Sequence, residues 1–312
     1  MTQPRLLAVG GAHVDRRGRV TGAHVAEASN PGIMREEIGG GAFNAARAAV
    51  QRGAAVSLLS LRGGDAAGET VAEAIEAAGI EDLSATFLDR TTPSYTAILT
   101  ESGDLVTGLA DMALYEHGFL KQVRRSKVRD AGAGAEALLC DANMPAEAIE
   151  RLVALAAGKP IHAIAVSPAK VVRLVPVIPS LSCLFMNRRE ACCLVGVAEE
   201  TPPLAVAKAL AEMGLQAGVI TAGGGPALCF RHGDFLEIAP PPVDRIADVT
   251  GAGDALAGAT VAALMRGLAF AEAVREGMAA AKLAVESEDA APRMDDEVFR
   301  SALARVPRPK PV

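Results

Sequence analysis

Short apolar runs alternate with longer stretches of helical periodicity along most of the chain. Residues 6–9 form an unbroken apolar run closed by Gly10 and Gly11, the pattern of a strand buried on both faces. Residues 42–52 have helical character, and a strand is predicted over 56–61. A helix over 69–78 follows, stopped by Gly79. Further strands are predicted at 137–141, 161–166, 183–186 and 217–221. Helices are predicted at 145–157, with Pro145 near its first turn, and at 188–195, 204–213, 255–266 and 270–287. Strands alternating with helices predict a mainly parallel sheet covered on both faces, within one domain spanning 1–312.

Two segments break this rhythm, about 16–38 and about 92–117. Both hold alternating, β-prone stretches such as residues 94–100, with no helix between them. They predict a small β-sheet outside the main layers, either a cover over a site or an edge extension. The proline-rich tail 306–312 is expected to fray.

Composition narrows the function classes. Half of the 312 residues are hydrophobic, enough for a large core. The net charge of −6, without a basic block, gives no support for nucleic-acid binding. Aromatics make up 3%, too few for a base-stacking platform. The five cysteines show no C-x2-C spacing, so buried reduced thiols are expected. No stretch approaches the roughly 20 apolar residues of a membrane span, and residues 6–9 are too short for a secretion signal. A soluble, cytoplasmic protein is expected.

The chemistry concentrates at Asp248-Val-Thr-Gly-Ala-Gly-Asp254, which runs into an alanine-rich helix. Small residues before a helix start leave outward-pointing N–H groups at the positive end of the helix dipole. That is an anion site suited to phosphate. Asp254 there is either a first-turn charge, worth about 1 kcal/mol, or a base beside a transferring phosphate. Walker and protein-kinase motifs are absent. Gly10-Gly-Ala does not complete a G-x-G-x-x-G turn, which argues against a dinucleotide-binding oxidoreductase.

Other segments have both a plain and a chemical reading. Residues 39–41 are glycines that permit close backbone approach or merely a turn. Asn44, in a first helical turn, binds a hydroxyl or only caps. Asp15 accepts hydroxyl hydrogen bonds or lies in a solvated turn. Asn187 and Glu190 share a helix face, and Glu190 either holds a magnesium-bound water or complements the helix dipole.

Asp248–Gly258 as DVTGAGDALAG resembles the C-terminal signature of the ribokinase-like (PfkB) carbohydrate kinases. In the right order, Gly10-Gly-Ala-His-Val-Asp15 resembles the family's first-strand motif. Gly39-Gly-Gly-Ala-Phe-Asn44 resembles its N-terminal signature, and Arg62-Gly-Gly-Asp65 its next turn. Asn187-Arg-Arg-Glu190 matches N-x-x-E, and Thr221-Ala-Gly-Gly-Gly225 resembles the nucleotide-binding turn. The likeness spans about residues 5 to 290. It implies a ribokinase-like three-layer α/β/α sandwich with a β-sheet lid from about 16–38 and 92–117. It also implies a phosphotransferase with an alcohol acceptor and ATP and Mg²⁺ as cofactors. K⁺ near the Asp248 loop and a homodimer through the lid are further implications. Asp254 would be the base, with Gly251, Ala252 and Gly253 amides as the anion hole. Asn187, Thr221, Gly223, Gly225 and Gly253 would serve the nucleotide, and Glu190 would hold Mg²⁺ through water. Adenine is expected against residues 275–290, where Met278, Ala281 and Lys282 carry no readable code.

Within the family, residues 29–32, 92–96, 111–112, 140–143 and 166–170 resemble the pseudouridine-kinase branch. That implies transfer from ATP to a nucleoside 5′-hydroxyl, with another nucleoside or a sugar as the alternative acceptor. His13, Asp15, Gly40, Gly41 and Asn44 would meet the ribose, and Ser94, Thr96 and Asn143 the base. His13 stands where relatives often have asparagine, Ser167 where many have aspartate, and Gly41 where ribokinase has a larger residue. Lys170 reaches a phosphate or is a surface lysine. A non-catalytic binding protein on this fold is opposed by the intact Gly-Ala-Gly and Asp254.

Overall fold

A computed structural model describes residues 3–287 and 292–312. The strands, in chain order, are β1 Arg5–Val9, β2 His13–Val20, β3 Gly32–Gly39, β4 Ala55–Leu59, β5 Leu61–Gly63, β6 Glu81–Asp82, β7 Ala85–Phe87 and β8 Ser94–Leu99. They continue with β9 Leu105–Asp111, β10 Ala137–Asp141, β11 Ile161–Ile164, β12 Cys183–Asn187, β13 Ala217–Ala222, β14 Gly225–Arg231, β15 Asp234–Ile238 and β16 Lys310–Pro311. The main sheet runs β16-β15-β14-β13-β12-β11-β10-β1-β4-β6. From β6 to β13 every pairing is parallel, and the β14, β15 and β16 flank is antiparallel.

The period of two in β1 divides the core. Leu6 and Ala8 face one buried cluster with helices Gly41–Gln51, Ala66–Ala77, Ala252–Met265, Phe270–Glu286 and Asp296–Ala304. Leu7 and Val9 face a second cluster with helices Ala113–Gln122, Ala146–Ala156, Arg188–Val195 and Pro203–Glu212. Burying a side chain of this size is worth about 1.5–3 kcal/mol. The result is the α/β/α sandwich the alternating pattern predicts.

Helix Ala252–Met265 is apolar all round and is buried from Ala255 to Ala263. It packs so closely on helix Gly41–Gln51 that a Cβ at Gly258 would lie 2.0 Å from the Ala45 carbonyl oxygen. Only glycine fits there, and the contact fixes Asp254 relative to Asn44.

A separate four-stranded sheet runs β3-β2-β8-β9, with β2 and β8 parallel and the outer pairs antiparallel. It is the small sheet expected outside the main layers, with different bounds. β2 begins at His13, so His13 and Asp15 belong to the lid itself. Residues 113–117 are helical instead, because Leu114 and Tyr115 bury in the core.

Other expectations shift for local reasons. The run at 56–61 divides at Ser60, whose hydroxyl accepts the Ala12 N–H at 3.0 Å, and β5 pairs with β7 instead. The strand at 161–166 ends at Ile164, and Val166 turns into positive φ (70°). The tail 306–312 does not fray: β16 pairs with β15, and the Val312 N–H meets the Phe235 carbonyl at 3.1 Å. Four cysteines are buried as free thiols, whereas Cys193 is exposed.

Candidate active site

The carboxyl ends of β1, β10, β12 and β13 open toward the lid, the edge where parallel α/β sheets bind ligands. Asp141, at the end of β10, organises this edge and was not singled out from sequence. Its fully buried carboxylate accepts the Gly11 N–H at 2.9 Å and the Ala42 N–H at 2.8 Å. It also accepts the Asn143 N–H at 2.9 Å and the Asn143 side-chain amide at 3.0 Å. One carboxylate thereby ties the Gly10-Gly11 turn to the start of helix Gly41–Gln51. Among its partners only Asn143 is near in sequence, so no local pattern announces it.

Helix Ala252–Met265 starts at Ala252, one turn earlier than expected, after Gly251 in the left-handed region (φ 74°). No side chain caps it, so the first-turn amides have no side-chain acceptor. Asp254 lies half-buried in that first turn. Its Oδ2 accepts the Asn44 amide at 3.0 Å, and the Asn44 Oδ1 accepts Arg47 in turn. Burial pushes the Asp254 carboxyl up to about 7. The Asn44 hydrogen bond opposes this, and the charges of Asp141, Asp15 and Glu190 add to it. The Arg47 guanidinium stacks 4.5 Å from the Phe43 ring centre and is drawn down to about 10 by burial, against the pull of Asp254, Glu37 and Asp15. Arg47 is a second residue the sequence did not single out.

Gly40 precedes helix Gly41–Gln51, and its carbonyl accepts the Asn44 N–H at 2.9 Å. A Cβ at Gly41 would lie 3.0 Å from Asp141 Oδ2 and 3.5 Å from Asp254 Oδ1. The bare glycine keeps the space between the two carboxylates free of a side chain.

Asn187 and Glu190 make a reciprocal capping box. The Asn187 side chain accepts the Glu190 N–H at 2.9 Å, and Glu190 Oε2 accepts the Asn187 N–H at 2.7 Å. Burial raises the Glu190 carboxyl above its ordinary value despite those bonds. Among the described residues its other oxygen accepts no hydrogen bond, so a single water-bound Mg²⁺ fits this donor set, since that ion keeps several waters and uses few carboxylates. No cluster of three or more metal-ligating side chains occurs among the described residues. Thr221 pairs with Asn187 across β12 and β13, Gly223 lies in the hairpin turn beyond, and Gly225 opens β14 opposite Ala222. K⁺ fits less well, because both oxygens of Asp248 are engaged. Oδ2 pairs with Arg17, and Oδ1 accepts the Thr250 N–H at 2.8 Å.

In the expected adenine segment, Met278 is buried in the core and Lys282 is committed to Glu286 and Asp244. Residues 288–290 of that segment lie outside the described residues. Lys170 turns inward and donates to Asn143 Oδ1 at 2.6 Å. With its amide nitrogen on Asp141, the Asn143 side chain is used at both ends and holds the floor of the site.

On the lid, the imidazole of His13 approaches Asp15 (Nε2 to Oδ1, 3.4 Å) and the Tyr115 hydroxyl (3.4 Å). Asp15, Arg17 and Arg19 alternate onto one face of β2, with Glu37, Arg35 and Ile33 beside them on β3 and Tyr95, Ala97 and Leu99 on β8. This face and residues 246–250 enclose a cleft of about 910 Å³. Ser94 and Thr96 pair with Val14 and Arg16 and so fall on the opposite face. The structure therefore brings Asp15, Asn44, Gly40, Gly41 and Asp254 together and leaves Ser94 and Thr96 outside the cleft, with Tyr95 on the face that lines it.

Residues 3–297 match the model for "pfkB family carbohydrate kinase". Pseudouridine kinase of Escherichia coli is 26% identical over 91% of this chain and 91% of its own length. Ribokinase of Haemophilus influenzae is 30% identical over 81% of this chain and 82% of its own. Among solved structures, a carbohydrate kinase from Agrobacterium tumefaciens is 41% identical, covers 99% of this chain and all of its own, and superposes with a TM-score of 0.86. Arabidopsis thaliana ribokinase complexed with ribose and ATP shares the fold, with a TM-score of 0.85 at 19% identity over 97% of this chain and 99% of its own.

Proposed function

Since the chain belongs to the pfkB family of carbohydrate kinases, a sugar or nucleoside kinase with an alcohol acceptor, we propose that it phosphorylates the 5′-hydroxyl of pseudouridine at the expense of ATP. The observation that carries the reaction centre is Asp254: a half-buried carboxylate in the first turn of an uncapped helix, raised to about 7 and steered by Asn44. A base with a value near neutrality suits proton removal from a hydroxyl.

In this reading the ribose rests on Gly40, Gly41 and Asn44, with Asp15 and His13 on its hydroxyls. The 5′-hydroxyl occupies the space at Gly41. Asp254 takes its proton as the hydroxyl oxygen bonds to the γ-phosphorus and the bond to ADP breaks. Amides of residues 251–253 stabilise the charge on the transferring group. The nucleotide lies along Asn187, Thr221, Gly223 and Gly225. Glu190 would hold Mg²⁺ through water, and the ion would supply charge neutralisation on the phosphates. The lid cleft supports a nucleoside: donors on Arg19, Arg35 and Tyr95 suit the carbonyl edges of uracil.

The match to ribokinase, at higher identity over a shorter stretch, favours ribose as a second reading. A panel of ATP with pseudouridine, uridine, adenosine, inosine, ribose and fructose separates them. Phosphorylation of pseudouridine at the highest kcat/KM is expected. Turnover of ribose or fructose without turnover of pseudouridine would overturn the first reading in favour of the second.

A further inference from the structure

One ion pair joins the lid to the loop that feeds the anion site. The Arg17 guanidinium, on the inner face of β2, binds Asp248 Oδ2 across 231 residues of chain. The other Asp248 oxygen accepts the Thr250 N–H, so this carboxylate shapes the turn that delivers Gly251. Both side chains are about one-third exposed, at 30% and 31%. Exposed pairs of this kind contribute only about 0–1 kcal/mol to stability, which makes a purely structural role a small one.

Its position gives it another use. Asp248 is a carboxylate just before the amides that meet phosphate, where an unpaired negative charge would repel the incoming group. Arg17 cancels that charge. Arg17 also lies two residues from Asp15 on the same strand face, so one rigid strand carries both the acceptor contact and the loop contact. Its neighbours on that face, Arg19 and Arg35, make no recorded ion pair among the described residues, so Arg17 is the arginine of this face that is committed to the loop.

We propose that Arg17 is a positioning residue for phosphoryl transfer: held by the lid strand, it fixes and neutralises Asp248, and thereby sets the residue 251–253 amides. This rests on the reading of residues 251–253 as the anion site.

The test compares Arg17→Ala, Arg17→Lys, Asp248→Asn and the Arg17→Ala/Asp248→Asn double variant, on whichever acceptor the unmodified protein turns over. Hydrogen exchange of the amides of 249–254 is followed in parallel. Arg17→Ala is expected to lower kcat about tenfold or more, with a smaller change in acceptor KM, and to speed exchange across 249–254. Arg17→Lys is expected to recover part of the rate. The double variant is expected to be no slower than the slower single one, because both remove the same contact. Unchanged kcat and exchange in Arg17→Ala, multiplicative losses in the double variant, or a loss confined to acceptor KM with exchange unchanged would each overturn the proposal. If the unmodified protein turns over no acceptor, the reaction reading fails first. The exchange measurement still decides whether Arg17 orders the loop.

Discussion

The two sides of the cleft are built differently. The floor is buried and over-determined: Asp141 carries four hydrogen bonds, Asn143 is used at both ends, and Asn44 is held between Arg47 and Asp254. The lid is exposed and loosely tied, with Ile33, Met34 and Leu109 each more than half exposed. Among the described residues, the partly exposed ion pair of Arg17 with Asp248 links it to the loop below. A buried network fixes geometry to within a rotamer, which phosphoryl transfer needs. An open sheet face tolerates substitution, which acceptor choice uses. In the proposed reading, chemistry and specificity therefore sit in environments of different stiffness.

The sharpest way to break this comparison is at the base. Asp254→Asn is expected to lower kcat by roughly 10²–10⁴ while ATP binding, read by calorimetry, persists; near-normal turnover would remove Asp254 from the reaction. Next comes the floor. Asp141→Ala strands several buried donors and is expected to cost on the order of 3–5 kcal/mol of stability, seen as a large fall in thermal midpoint. A midpoint within a degree or two of the parent would mean that the network is not structural.

The titration of Asp254 gives two linked outcomes. As the base it must be ionised, so kcat/KM is expected to fall about tenfold per pH unit below about 7. Its folded value is raised above the unfolded one, so its contribution to stability is present below about pH 4 and lost as pH rises through 7. Asp254→Asn is therefore expected to melt roughly 2–4 °C above the parent at about pH 8 and close to it at about pH 4. The opposite ordering would show that the carboxylate is ionised without cost.

The smallest effects test the lid faces. Tyr95→Ala is expected to raise acceptor KM several-fold, by roughly 1 kcal/mol. Ser94→Ala and Thr96→Ala are expected to change it less than twofold. Equal effects at all three positions would show that the acceptor reaches both faces.

The legible parts of the molecule are those whose cause is local. The buried strands read as continuous apolar runs, and the uncapped helix start at Ala252 as small residues running into a helix. Asn187 and Glu190 stand at the three-residue spacing a capping box requires. The illegible parts depend on partners far away in sequence. Asp141 acts through amides 130 and 99 residues distant. Which lid residues face the cleft depends on the pairing of Val14 with Ser94, and a shift of one residue would have exchanged Tyr95 for Ser94. The antiparallel flank was missed because β14 and β15 follow β13 through short hairpins without the helix that marked the earlier strands.

The tail at 306–312 acquires a meaning its composition hides. Prolines stand at 307, 309 and 311, and Pro311 pairs opposite Leu236 on the outermost edge of a ten-stranded sheet. A strand whose alternate residues lack an N–H is a poor template for another strand. The segment thus works as a terminator of sheet growth, shielding β15 from the edge-to-edge self-association that turns concentrated β-rich protein into aggregate.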